Sequence, residues 1–146
     1  MSLALFRQGL AQLPSESFAD KPRDTRTRIG VMRDHDKAHV ELLEALIAGT
    51  QTSPERIATP TFTFTDPDDL LKRAHRLKDL TTAAYALLIP SLGDSPSTAD
   101  LVGIAIVEGR HVAWLASRTG DVAFDEPSTP AMTRVEIENA LRAFSS

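Results

Sequence analysis

The sequence predicts an all-α fold, a four-helix bundle followed by an added C-terminal helix, within a single domain spanning 1–146. Five segments repeat apolar residues at steps of three and four, which is the spacing of one buried helix face. Aromatic residues are only 5% of the 146, so the core must rest on aliphatic side chains that suit helices. The apolar (42%) and charged (25%) fractions are those of an ordinary globular domain.

Cap and turn signals bound the predicted helices. The third helix begins sharply at Asp66-Pro67, where a capping aspartate precedes a proline in the first turn. It ends before the tight turn Gly93–Pro96, and Gly120 stops the fourth helix. Thr129-Pro130 is expected to open the last helix. The helices are therefore predicted over residues 2–12, 24–48, 66–92, 96–118 and 130–144.

The lengths of the connections predict the order of the helices in space. The short turn between the third and fourth helices makes those two antiparallel neighbours. The long connection over 50–65 is enough to cross the length of the second helix, roughly 37 Å. Phe62 and Phe64 alternate with threonine there, which favours an extended segment packed along the bundle over a disordered loop. One long crossover among short links is typical of one class of four-helix bundle.

Two acid-x-x-histidine motifs interrupt the apolar stripes of the second and fourth helices. Asp36 precedes His39 by three residues, and Glu108 precedes His111 by the same spacing. Burying such groups costs several kcal/mol, about 2–7 for an unpaired polar group, unless each finds a partner. Matching interruptions in two helices therefore predict one shared polar site, and such motif pairs form half of a di-metal carboxylate site.

The other half of a di-metal site is not provided by the remaining helices. On the third helix the position level with the two motifs is Lys78, where a carboxylate would be expected, and the first helix is too short to supply an acid. An ammonium facing two carboxylates leaves the site near neutral and repels a divalent ion. A metal-free network is therefore favoured. A two-metal oxidase site, or one iron or manganese ion held by Asp36, His39, Glu108 and His111, remains an alternative.

A second metal pattern overlaps the first motif. His35 and His39 stand four residues apart with an acid between them, like the H-E-x-x-H pattern of zinc metallopeptidases. The intervening Asp36 is one methylene shorter than the usual glutamate base, and His35 lies off the apolar stripe. Zinc peptidase activity is thus a minor alternative.

Composition excludes several classes of partner. The net charge of −4 gives no basic surface for nucleic acid. No apolar run is long enough to span a bilayer, and the N-terminus lacks the pattern of a signal peptide. The absence of cysteine removes disulfides and thiolate ligands. We expect a cytoplasmic protein by default.

Several segments resemble the ferritin-like domain proteins related to plant desiccation-related proteins. The closest likeness is an Ile-x-x-x-Glu-x-x-His helix that ends in Glu108 and His111 and is paired with a helix carrying Asp36, where glutamate is usual. The resemblance implies a ferritin-like bundle with a structural or stress-associated role, in a family whose members are often exported. The segments that carry it are 6–10, 33–43, 83–85, 99–115 and 124–130.

Two departures from this family lead us to expect an incomplete site and an N-terminus that is short for the family. The family's third-helix glutamate falls on Lys78, and its first helix begins earlier than Met1. A first helix this short would leave Met32, Leu43 or Leu101 exposed, so we expect a homodimer that covers the gap. The favoured function is therefore a non-catalytic ferritin-like protein, and metal-dependent oxidase-type chemistry is the alternative.

Overall fold

A computed structural model describes residues 1–48, 60–121 and 132–144, and these residues confirm the all-α prediction. The described residues contain five α-helices and no strand. Two short 3₁₀ turns, Ser15–Phe18 and Ile89–Leu92, follow the first and third helices. The helices are α1 (Ser2–Gln12), α2 (Thr25–Ala48), α3 (Pro67–Leu88), α4 (Ser97–Thr119) and α5 (Arg134–Ala143).

The chain divides into two compact units, Met1–Leu70 and Leu71–Ser146. In the first unit α1 packs against α2, with the fully buried side chains of Leu5, Phe6 and Ile29 in its core. The buried residues of α2 all lie at or before Asp36, so its C-terminal half contributes none. The residues that follow the predicted end of the second helix, 49–59, lie outside the described residues.

The prediction of exposed apolar surface beside the short first helix is largely wrong. Met32 and Leu101 are each only 4% exposed, so both belong to the core. Leu43 is half-buried. The homodimer over α1 stays a prediction.

The end of the long connection is held in extended form by two glutamine side chains of α1. Gln8 donates to the carbonyl of Pro60 (3.1 Å) and accepts from the amide of Phe62 (2.6 Å). Gln12 repeats the pattern two residues on, donating to the Phe62 carbonyl (2.7 Å) and accepting from the Phe64 amide (3.2 Å). Each side-chain amide thus pairs like a residue of a neighbouring parallel strand. Phe62 is buried and stacks on Phe64, so residues 60–64 pack as the sequence predicted.

The start of α3 follows its sequence signal. The Asp66 carboxylate accepts from the amide of Asp69 at 2.9 Å, which satisfies one of the exposed donors of the first helical turn. The same hydrogen bond is the main reason why the pKa of Asp66 lies below its ordinary value. Pro67 is the first residue of the helix, as predicted.

In the second unit the remaining helices end close to the predicted positions. The last four residues of the predicted third helix form the 3₁₀ turn Ile89–Leu92. α4 ends at Gly120, whose φ of 79° is left-handed and whose amide bonds the Ala116 carbonyl. No helix among the described residues is long and apolar enough to cross a membrane.

α5 begins at Arg134, four residues later than predicted. Thr133 and Glu136 form a reciprocal capping box, which satisfies the first backbone donors and fixes the start. Residues 129–130, where the sequence favoured a start, lie outside the described residues. Ile137 is buried, and the Arg76 guanidinium of α3 lies 5.7 Å from the centre of the Phe144 ring. These contacts dock α5 within the second unit.

Gly9 is required by a close contact, and Gly30 is a matched control. A Cβ atom at Gly9 would lie 2.6 Å from a methyl of the fully buried Leu70, whereas a Cβ at Gly30 would meet nothing within 4 Å. We expect Gly9→Ala to lower the free energy of unfolding by about 1–3 kcal/mol through overpacking. Gly30→Ala should raise it by up to about 1 kcal/mol through helix propensity. Urea unfolding measures both, and a stabilising Gly9→Ala would contradict the contact.

A second prediction follows from the hydrogen bonds of Gln8 to the connection. Gln8→Met keeps the side-chain length but removes both hydrogen bonds to the connection. We expect the Phe62 amide to exchange its hydrogen at least about fivefold faster, since a lost hydrogen bond costs roughly 1 kcal/mol or more. Hydrogen exchange followed by NMR measures this, with the Asp69 amide at the start of α3 as internal control. An unchanged exchange rate of the Phe62 amide would show that the hydrogen bonds of Gln8 do not hold the segment.

Candidate metal centre

The core of the second unit contains a lysine–glutamate ion pair. Lys78 of α3 is 0% exposed, and its ammonium donates to Oε2 of Glu108 at 2.7 Å. Glu108 of α4 is 2% exposed. The helical spacing that directs Ala74 and Leu71 into the core also directs Lys78 there. The sequence prediction that this lysine faces the Glu108 motif is therefore confirmed.

His111 lies beside the same carboxylate. It is 6% exposed, and its Nδ1 atom is 3.8 Å from Glu108 Oε2, which is too long for a hydrogen bond. The separation of three residues along α4 places both side chains on one helix face. Glu108 and His111 are both among the buried side chains that could hold a metal ion. The second predicted motif is thus a buried acid–imidazole couple.

Only the acid of the first predicted motif is fully buried in the core of its unit. Asp36 is 3% exposed and is also a side chain that could serve as a metal ligand. His39 is half-buried, and its ring centre lies 6.5 Å from that of His35, one helical turn earlier. His35 is exposed, so the two histidines do not share a buried surface. That both motifs serve one site stays a prediction.

The donor chemistry suits a hard or borderline cation only in part. Carboxylate oxygens and an imidazole nitrogen are ordinary ligands for iron and manganese. However, Oε2 of Glu108 already accepts a short charge-assisted hydrogen bond from Lys78. A cation at that oxygen would face the ammonium with the solvent excluded, where like charges repel strongly. A two-metal centre therefore does not fit these residues while Lys78 is charged.

A second polar cluster, which the sequence did not predict, surrounds His75. Its Nδ1 atom lies 2.9 Å from Asp121 Oδ2, and its Nε2 atom lies 3.6 Å from Asp79 Oδ2. Thr119 donates to the same Asp121 oxygen at 2.7 Å. Only 13% of the His75 side chain is exposed. This pairing joins α3 to Asp121, two residues beyond the end of α4. No pattern of residues close together in the sequence predicts it.

The pKa values of the two acids in this cluster are shifted in opposite directions from their ordinary values. Hydrogen bonds from Thr119 and then His75 lower the pKa of Asp121. Burial raises the pKa of Asp79, against the attraction of His75. A lowered carboxyl pKa contributes stability that is present above its ordinary pKa and is lost as the pH falls through the lowered one. A raised pKa has the opposite effect, so of these two acids it is Asp121 that favours folding at neutral pH through its charged form.

Comparison with known proteins identifies one family. Residues 1–121 match the model of the ferritin-like domain. No curated protein and no solved structure matches the chain. The ferritin-like fold is an all-α bundle, so the match also confirms the predicted fold class. Lys78, Glu108 and Asp36 all lie within the matched residues.

The Thr119 hydroxyl is the main cause of the lowered pKa of Asp121, which gives a pH prediction. We expect Thr119→Val to raise this pKa toward the ordinary value of 3.8. The stability that Asp121 contributes above its ordinary pKa should then be smaller, and so should the part of it that is lost at acid pH. Carboxyl ¹³C NMR titration measures the pKa. Thr98→Val, whose hydroxyl donates to the Gly93 carbonyl instead, is the matched control and should leave Asp121 unchanged. An Asp121 pKa unaffected by Thr119→Val would contradict the assignment.

Proposed function

The chain belongs to the ferritin-like domain family, and we propose that within this family it is a non-catalytic member with a degenerate di-metal site. One observation carries the proposal. The ammonium of Lys78 donates at 2.7 Å to Glu108, a carboxylate that a metal would need, and both side chains are almost completely buried. In this proposal the lysine acts as the resident cation.

Charge balance supports the replacement. Four carboxylates around two divalent ions leave a site near neutral. Glu108 and Lys78 together carry no net charge, so this acid needs no metal to balance it. A buried ion pair adds little stability by itself, but removing one partner strands the other charge and typically costs about 3–5 kcal/mol. Lys78 would thus be needed to keep Glu108 in the core.

The biological role in this proposal is structural or stress-associated. It is carried by the resemblance to desiccation-related ferritin-like proteins rather than by any feature of the site. A chain that no longer binds metal keeps the helical scaffold and its surfaces, which are then the parts available for function.

A second candidate function is binding of one iron or manganese ion, with oxidase-type chemistry as its extension. It is favoured by two buried side chains of α4 able to ligate an ion, Glu108 and His111. Asp36, which is buried in the first unit, would be a further ligand in this candidate. His39 would be a fourth ligand after a change of side-chain rotamer, since it is now half-buried beside His35. This candidate requires Lys78 to lose its proton or to move.

Metal analysis of one charge-changing variant separates the two functions. We expect the unmodified chain, purified with iron or manganese present, to contain far less than one ion per chain by elemental analysis. Lys78→Glu restores the family's carboxylate and should bind metal. Its thermal midpoint should also rise when metal is added, because a ligand at about 100 times its Kd stabilises the folded state by roughly 2.7 kcal/mol.

Two controls keep this experiment interpretable if a variant folds poorly. Lys78→Met leaves Glu108 unpaired and should destabilise the chain by about 3–5 kcal/mol without gaining metal. Adding Glu108→Gln to it should recover much of that loss. Stoichiometric metal in the unmodified chain would refute the degenerate-site proposal and favour the single-ion candidate. Absence of metal even in a folded Lys78→Glu chain would leave the single-ion candidate without support.

A further inference from the structure

Two histidines of α2 form a pair at the surface of the first unit. His35 and His39 stand four residues apart, so they lie one above the other on neighbouring turns of the same helix. Their ring centres are 6.5 Å apart, and the ring planes are inclined by 30°. His35 is exposed and His39 is half-buried, so solutes reach the pair without any opening of the core. The His35–His39 pair therefore presents two imidazole rings together at the edge of α2.

The separation of the two rings suits a shared metal ion. An ion such as Zn²⁺ lies about 2.0–2.1 Å from each imidazole nitrogen, so the two nitrogens that bind it are no more than about 4 Å apart. Cβ atoms four residues apart on a helix are separated by only about 5–6 Å. A change in the side-chain torsions of the exposed His35 is therefore enough to bring one nitrogen of each ring within that limit.

The charges around the pair do not repel a cation. Arg33 and Lys37 are each two residues from His35, and residues two apart face different sides of a helix. Arg33 is paired with Asp34 at 2.8 Å. Lys37 is paired with Glu41 at 2.7 Å. No basic residue stands three or four positions from either histidine, where the residues are Val31, Met32, Asp36, Ala38, Leu42 and Leu43.

The donor atoms select the class of ion. Imidazole nitrogens suit Cu²⁺, Ni²⁺ and Zn²⁺, whereas carboxylate oxygens suit Mn²⁺, and the affinity of a given site rises from Mn²⁺ to Cu²⁺. The His35–His39 pair belongs to the first unit and is accessible. Glu108 and His111 are buried in the second unit. The pair and that buried couple are therefore different sites with different ion preferences.

We propose that His35 and His39 bind one late first-row divalent cation, Cu²⁺, Ni²⁺ or Zn²⁺, with water completing its coordination. The proposal includes no peptidase step. Asp36, between the two histidines, is only 3% exposed, while an ion held by His35 lies at the surface. The acid therefore does not face the water on that ion. The proposal is also independent of the degenerate buried site, since it uses neither Lys78 nor Glu108.

Such an ion would brace α2 at the point where its packing ends. Asp36 is the last buried residue of α2, and none of the twelve that follow it in the helix is buried. An ion held by His35 and His39 joins the end of the buried half to the first turn beyond it. Since it binds the helix more tightly than the unfolded chain, it stabilises that second half. Hydrogen exchange of amides 40–44 should slow by up to about tenfold at 10 times the Kd of Zn²⁺, and unchanged exchange with the ion bound would refute this bracing.

Calorimetric titration of the full chain with Zn²⁺ tests the binding. We expect one ion per chain, with Cu²⁺ binding more tightly and Mn²⁺ far more weakly. His35→Gln should raise the Kd for Zn²⁺ at least about tenfold, because even the loss of an outer-shell group typically costs 10–100-fold. Circular dichroism checks that the variant stays helical.

Moving the second histidine tests the pairing itself. In the His39→Gln chain, Val31→His again places two imidazoles four residues apart, and the surface accepts the change because Val31 is 42% exposed. We expect it to recover most of the affinity for Zn²⁺. Lys37→His in the same chain is the matched control. It should recover nothing, because its side chain faces away from His35.

Paramagnetic Cu²⁺ locates the ion in the unmodified chain. At substoichiometric Cu²⁺, we expect the NMR signals of residues 31–43 to broaden before those of other residues. Broadening that begins around His75 or His111 would place the ion elsewhere and overturn the proposal. A chain that binds neither Zn²⁺ nor Cu²⁺ would overturn it too, as would a Kd unchanged by His35→Gln. Equal recovery by Val31→His and Lys37→His would show that the four-residue spacing is not what binds the ion.

Discussion

A buried ammonium–carboxylate pair constrains the chemistry of the second unit. Lys78 and Glu108 occupy neighbouring positions in the interiors of α3 and α4, and each would be costly to bury without the other. The pair links two helices electrostatically and uses the Glu108 oxygen that a metal would need. His111, close to the same oxygen, then faces a carboxylate whose charge is already compensated. In the proposed degenerate site, one cation at one position would be enough to replace a metal.

In the first unit, hydrogen bonds from two side chains hold an irregular segment in place. The connection after α2 has no helix or sheet of its own near α3, so its backbone groups need partners elsewhere. Gln8 and Gln12, four residues apart on α1, match the repeat of an extended chain closely enough to bond alternate residues of it. Phe62 can then enter the core without stranding its amide. The short α1 is therefore a support for the crossover as well as a layer of the helical core.

Periodicity and the cap and turn residues in the sequence were enough to predict the all-α class, the start at Asp66-Pro67 and the stop at Gly120. They also predicted that Lys78 and the acid of the second motif are buried, since a strict helical stripe leaves a polar residue no other direction. These features depend on residues close together along the chain. The sequence analysis placed the start of α5 at Thr129-Pro130 and so missed the later start at Arg134. The capping box of Thr133 and Glu136 is the sequence signal that marks this later start.

Only the tertiary structure decided the contacts between residues distant in sequence. Nothing local signals that Gln8 bonds a segment more than fifty residues away, or that His75 meets Asp121. It also showed that His39 is less buried than its stripe predicted and that Met32 and Leu101 are covered despite the short α1. The physical reason is that a periodic pattern defines which side of a helix is apolar. How deeply a residue on that side is buried depends on which other elements pack over it.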